Sequence, residues 1–244
     1  HALSQKTHTA ADVQEATRWY RTLLTSFPDD PQAAANRFLL AELLYEDKRW
    51  AEAAVEYETV AYKQPGDPKA ADAGYSALLS YAALEKETAD AAKKQQLQKD
   101  GVESALRFAA AFPTDTRNGP VLTRASEQLF TLGDAERAVA VARQSLALQP
   151  PPAPELRRTA WTVIAHQSFE KAEYAEAEKA YGEVLALTPE KAPGRNEIAE
   201  RQAAAIYKQG EAARTAGDAR GAVGHFARVA ALGTIGATSQ VRAS

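Results

Sequence analysis

The side chains best suited to acid–base, nucleophilic or metal chemistry are four histidines and a scatter of serines and carboxylates. His1 and His8 sit near the start of the chain, and His166 and His225 lie far from them and from each other. A zinc-type site needs three or four converging ligands, and a two-histidine site here would need a tertiary encounter that the spacing does not show. His166 and His225 therefore read as structural or solvent-facing residues. Ser126 and Ser168 have neither an adjacent base nor an orienting acid. Glu42 and Glu46 share a helix face, but paired surface carboxylates do not by themselves make an acid–base pair. No Gly-x-Ser-x-Gly element, phosphate loop or His-Glu-x-x-His helix occurs. The chain is expected to be no enzyme, with no catalytic residue and no cofactor or metal. Lys93, Lys94, Lys99 and Arg107 are the densest basic cluster. Glu85, Glu87, Asp90, Asp100 and Glu103 neutralise it in part, so it reads as a solvated helix rather than a nucleic-acid surface.

Composition agrees. The 244 residues are 45% hydrophobic and 25% charged, with a formal charge of -3. That suffices for a continuous core and leaves no basic stripe for nucleic acid. The longest apolar runs are too short to span a bilayer, so this segment is expected not to insert into a membrane. Cysteine is absent, which rules out disulfides and thiolate metal sites. Methionine is absent too, even at position 1, and no leader opens the chain. The sequence reads as a piece of a longer protein.

With chemistry set aside, the elements come forward. One phrase recurs with variation: Ala53, Tyr57, Val60 and Pro65; Ala138, Ala142, Ser145 and Pro150; Ala177, Tyr181, Val184 and Pro189. It returns as Ala222, Phe226, Val229 and Thr234, and an earlier copy is Ala16, Tyr20, Leu23 and Pro28. Prolines 28, 65, 113, 150 and 189 are separated by 37, 48, 37 and 39 residues. Such periods mark repeat architectures. Between prolines the apolar period is helical, so Ala53 and Tyr57 fall on one stripe. The small residue admits a neighbouring helix and the ring fills the groove beside it.

The linkers suit helix ends. Phe27-Pro28-Asp29-Asp30-Pro31 and Gln64-Pro65-Gly66-Asp67-Pro68 stop one helix, and Asp30 or Asp67 is placed to cap the next. Gly133-Asp134 and Gly217-Asp218 are tight turns within pairs, and Asp47-Lys48-Arg49 and Ala172-Glu173 occupy the same places without glycine. Residues 69–84 and 94–111 read as helices, with a charged insert at 85–93 between them. The insert is either longer helix, which its Glu, Lys and Ala content favours, or exposed loop. Trp19 falls off the strict stripe and either seals the start of the stack or meets a preceding helix.

The second-helix phrases Trp50-Ala53-Tyr57-Val60-Pro65 and Tyr174-Ala177-Tyr181-Val184-Pro189 resemble the tetratricopeptide family. The first-helix half is weaker: Leu40-Ala41 stands for the Leu-Gly pair, Trp161 for the early aromatic, and Gly210 keeps the glycine. The resemblance implies an all-α, right-handed α-solenoid of stacked antiparallel helix pairs over residues 1–244. Residues 10–28 would be a partial first repeat. Residues 33–65, 69–113, 117–150, 155–189 and 195–232 would be helix pairs, and 233–244 the start of a further unit.

The same resemblance implies a groove lined by first helices. It puts Phe38, Glu42 and Tyr45 there, then Tyr75, Glu127 and Phe130, then His166, Phe169 and Glu170, then Tyr207, Glu211 and Arg214. Rings among carboxylates suit a protein or peptide, the ring giving apolar contact and the carboxylate orienting a cation. The alternative is that the rings only seal adjacent units. The family's terminal-carboxylate clamp looks absent, because its places hold Phe38, Glu42 and Glu46, then Thr123, Glu127 and Thr131, then Thr162, His166 and Glu170. SFPDDP and PGDPKAADAGYSALLSY resemble linkers of bacterial envelope tetratricopeptide proteins. That implies a periplasmic or outer-membrane-associated scaffold within a larger protein, with a cytoplasmic place as the alternative. A structural spacer or regulatory repeat domain joining parts outside this segment is the other reading of function. Oligomeric state is left open.

Overall fold

The computed structural model describes residues 9–63 and 66–232. His1, His8, Pro65, Thr234 and the unit expected at 233–244 lie outside the described residues. The described chain has helices and turns only. The helices are α1 (Ala10–Ser26), α2 (Ala33–Glu46), α3 (Trp50–Lys63), α4 (Ala70–Glu87), α5 (Ala91–Ala111), α6 (Asn118–Thr131), α7 (Ala135–Leu146), α8 (Pro154–Glu170), α9 (Tyr174–Ala186), α10 (Arg195–Thr215) and α11 (Ala219–Ala231). Among the described residues none is long and apolar enough to cross a membrane.

Two compact units divide between Thr116 and Arg117. In the first, each of α2 to α5 packs on the helix before it in the chain. In the second, each of α7 to α11 does the same, and α8 also reaches back to α6. Each unit is thus an all-α stack of helix pairs of tetratricopeptide type.

The repeated phrase is the buried seam. Ala53, Ala138 and Ala177 are wholly buried, and Tyr57 and Tyr181 nearly so. Facing them on the first helices are small residues, Ala41, Ser126, Ala165 and Gly210, all buried. At Gly210 the backbone lies so near Phe226 that a β-carbon would fall 2.7 Å from the ring. In the α6–α7 pair both sides are small, and a hydroxyl pair, Thr123 Oγ1 to Ser145 Oγ at 2.9 Å, replaces the ring. Ser126 donates to the Thr123 carbonyl, which accounts for its buried hydroxyl.

Helix α1 departs from the phrase. Its buried residues are Val13, Thr17 and Leu24, while Leu23 is exposed. Trp19 is 66% exposed, so it does not seal the stack. Trp19 and Leu23 form an exposed apolar edge of α1.

Four turns inside pairs share one geometry. In the first, the N–H of Arg49 donates to the carbonyl of Leu44 and that of Lys48 to Tyr45. Asp134 and Gly133, Glu173 and Ala172, and Asp218 and Gly217 repeat both bonds. The motif needs a left-handed residue, and φ is 79° at Gly133 and 82° at Gly217. Lys48 and Ala172 are forced to 60° and bear the steric cost of a β-carbon. Ala172→Gly, or Lys48→Gly, is expected to raise unfolding free energy by about 0.5–1 kcal/mol after allowing for glycine's freedom in the unfolded chain. An unchanged urea midpoint would contradict it. Asp134 and Asp218 also cap the following helices, accepting from the N–H groups of Arg137 and Gly221.

Two sequence expectations need correction. Asp30 and Asp67 are not the helix caps; Gln32 and Lys69 occupy those places. Each aspartate instead accepts the N–H two residues on, at 2.7 Å, in a turn that precedes the helix. The charged insert is not continuous helix. It breaks at Thr88–Asp90, where the Thr88 hydroxyl donates back to the Leu84 carbonyl and Asp90 caps α5.

Between α1 and the α2–α3 turn, Glu52 accepts two bonds of 2.7 Å from Arg49 and a third from Arg21. The Arg49 bond is the main cause that draws the Glu52 carboxyl down to about 2, against partial desolvation. A depressed carboxylate stabilises the fold fully above its unfolded value of 4.5, and the gain is lost as pH falls toward 2. Wild type should therefore melt above Glu52→Gln at neutral pH, and the gap should close between pH 4.5 and 2. Its size is below about 1 kcal/mol, because the group is partly solvated. A gap independent of pH would contradict the assignment.

Candidate functional site

In the first unit the candidate residues are drawn into packing. The Phe38 ring meets Tyr57 edge-on at 5.7 Å, and the Lys69 ammonium stands 5.5 Å from the Phe38 centroid. The Tyr57 hydroxyl donates to Glu42. Desolvation, then this carboxylate, pushes the Tyr57 hydroxyl far above the usual tyrosine range. Phe38 and Tyr45 are part-buried against the core, and Tyr75 lies 6.1 Å from the Phe108 ring.

In the second unit the first helices enclose space. Arg158, Thr162 and His166 recur every four residues and form one stripe of α8. On one side of it, Glu127, Phe130 and Thr131 of α6 complete a cavity of about 290 Å³. On the other, Tyr181, Val184 and Thr188, the turn at 192–194, and Glu197, Ile198 and Arg201 of α10 complete one of about 530 Å³. The three stripe residues line both, so the two recesses adjoin as a single groove along α8.

His166 stands between the Phe130 ring at 6.1 Å and the Tyr181 ring at 5.8 Å. Burial lowers its pKa, Arg201 lowers it further, and Glu170 opposes them. The imidazole is therefore neutral near pH 7. Burial raises the Tyr181 hydroxyl, and the nearby Arg201 guanidinium opposes this. Glu127 is exposed along much of its side chain, yet its carboxyl is raised by desolvation at the groove wall, against Arg124.

The structure thus brings together Glu127, Phe130 and His166, with Glu170 acting on His166 from the next turn. Phe169 turns to Tyr174 at 5.4 Å. Tyr207 packs on Phe226 at 5.3 Å, and Glu211 pairs with Lys208 at 2.8 Å and Arg214 at 4.0 Å. These last lie on the C-terminal half of α10, while the groove uses its N-terminal half. Sequence mapping by phrase position missed Arg158, Ile198 and Arg201. Helix α10 begins at Arg195, well ahead of the phrase glycine Gly210, so its first turns had no counterpart to map. The four-residue spacing backward from His166 was the available signal for Arg158.

Among the described residues no group of three or more His, Asp or Glu side chains is arranged to hold a metal ion. No protein-family model matches the chain, and no curated protein matches it. Solved structures do. A thermophilic tetratricopeptide protein of Thermus thermophilus is 20% identical, with 80% of this chain and 90% of that chain covered at a TM-score of 0.39. YrrB, described as a tetratricopeptide protein with an unusual peptide-binding site, is 18% identical, with 86% and 91% covered at 0.42. PilW, described as a type IV pilus biogenesis factor, is 16% identical, with 97% and 99% covered at 0.36. The fold class rests on the helix pairs of this chain: a tetratricopeptide-like all-α repeat protein.

Proposed function

We propose that the chain is a non-enzymatic scaffold that binds an extended peptide segment of a protein partner along α8. The observation that carries this is the stripe Arg158–Thr162–His166, shared by two adjoining recesses. An extended chain needs a channel longer than one side chain, with apolar and polar walls in alternation. Phe130, Val163, Val184 and Ile198 supply the apolar contacts, and Thr162, His166 and Tyr181 the polar ones. Glu127, Phe130, His166 and Glu170 are the expected site residues that serve this groove.

The test uses a pool of end-blocked octapeptides of mixed sequence and fluorescence polarisation. Saturable binding is expected in wild type, with a loss of about tenfold or more in Thr162→Trp, whose indole fills the channel. Circular dichroism should be unchanged, because Thr162 is only half-buried. Equal binding by the variant, or none by wild type, would overturn the reading. We also propose a place in a larger envelope-associated protein, supported by the likeness of SFPDDP and PGDPKAADAGYSALLSY to envelope linkers. Fractionation of cells carrying the parent protein tests this, and recovery with the cytosol would contradict it.

A further inference from the structure

Among the residues that line the larger recess, two are arginines and one is a carboxylate. Arg158 and Arg201 line it from α8 and α10, and neither makes an ion pair among the described residues. Some basic side chains of the same unit are paired, Arg143 with Glu176, Lys208 with Glu211, and Arg228 with Glu178, but these pairs lie outside the recess. Nearby, Arg195 gives its guanidinium to the carbonyls of Leu185 and Thr188, which binds the side chain without cancelling its charge. Among the described residues Glu197 is the only carboxylate lining the recess, and Glu170 acts on His166 from the next turn of α8. The sequence alone suggested carboxylates waiting for a cation, and this end of the groove has the opposite polarity.

Resting on the peptide reading above, we infer that the α8–α10 end of the groove seats the carboxylate of an internal Glu or Asp side chain of the bound peptide. A guanidinium fork matches a carboxylate in shape and charge, and the bond strengthens where water is partly excluded. The Tyr181 hydroxyl and the His166 imidazole border the same recess and supply neutral donors, while the Thr162 hydroxyl donates to the Arg158 carbonyl. An internal side chain fits better than a chain end. The recess opens into the α6–α8 cavity, and Ala192, Pro193 and Gly194 present no long side chain to stop the backbone on the other side.

Three octapeptide pools test this, identical except for one feature. The first is end-blocked with Glu at the centre, the second end-blocked with Gln there, and the third has central Gln and a free C-terminal carboxylate. The Glu pool should bind roughly ten- to a hundredfold more tightly than the Gln pool, the range for a charge-assisted hydrogen bond. The preference should vanish in Arg158→Gln and in Arg201→Gln, with helicity retained. Equal binding of the Glu and Gln pools overturns the inference and leaves the peptide reading standing. A free-carboxylate pool that outbinds the Glu pool overturns the choice of an internal side chain. Binding by none of the pools overturns the peptide reading itself.

Discussion

Phe108→Ala should lower unfolding free energy by about 3–5 kcal/mol, the loss expected when a fully buried ring leaves a hole that cannot close. Phe108 is wholly buried, with Phe112 at 5.3 Å and Tyr75 at 6.1 Å between ring centroids. Its ring occupies the place a side chain would take at Gly74, whose built β-carbon would lie 3.0 Å from it. Glycine has nothing to extend into the void, and the flanking helices are held by their other seams. Urea denaturation measures the effect. Repeat stacks lose stability by neighbourhood, so amide protection should fall first in α4 and α5 and persist in α8 and α9. A loss below about 1 kcal/mol would mean that the ring cluster is not the core of its unit.

Tyr181→Ala should cost a similar amount, about 3–5 kcal/mol, and should also abolish peptide binding. Tyr181 is 2% exposed and belongs to the same seam as Ala177. It also lines the larger recess, where Arg201 acts on its hydroxyl. Tyr181→Phe separates the two roles. It keeps the ring, so stability should change by less than about 1.5 kcal/mol, while the recess loses one polar group. If Tyr181→Ala destabilises little, the seam has been placed on the wrong face of α9.

The same residue explains what the sequence could and could not disclose. Tyr181 recurs at the spacing of Tyr57 and Phe226, so its place in a helix-pair seam follows from periodicity alone. The seams were legible because a small residue and a ring must alternate at fixed intervals to let two helices approach. Local chemistry was less legible. Thr88 and Asp90 break a stretch whose composition favours helix, because one hydroxyl and one carboxylate satisfy the backbone groups that the break exposes. Asp30 and Asp67 stand near helix starts, yet bond two residues ahead and leave the caps to Gln32 and Lys69. In α1 the phrase position Leu23 is exposed, and Val13, Thr17 and Leu24 are buried instead.

The groove was half legible. His166 and Phe130 follow from first-helix positions in the repeat. Arg201 does not, because it lies in an N-terminal extension of α10 that reaches Tyr181 only through tertiary packing. Glu42 shows the reverse case. It holds a first-helix position, but the Tyr57 hydroxyl already uses its carboxylate.

The central claim is that first helices, and α8 above all, present the binding face. Amide chemical-shift mapping of the whole chain saturated with the octapeptide pool tests it most directly. The largest shifts should cluster at Phe130, Arg158, Thr162, His166, Ile198 and Arg201. Shifts concentrated instead on the outward residues of second helices, such as Arg143 of α7 and Lys179 of α9, would contradict it.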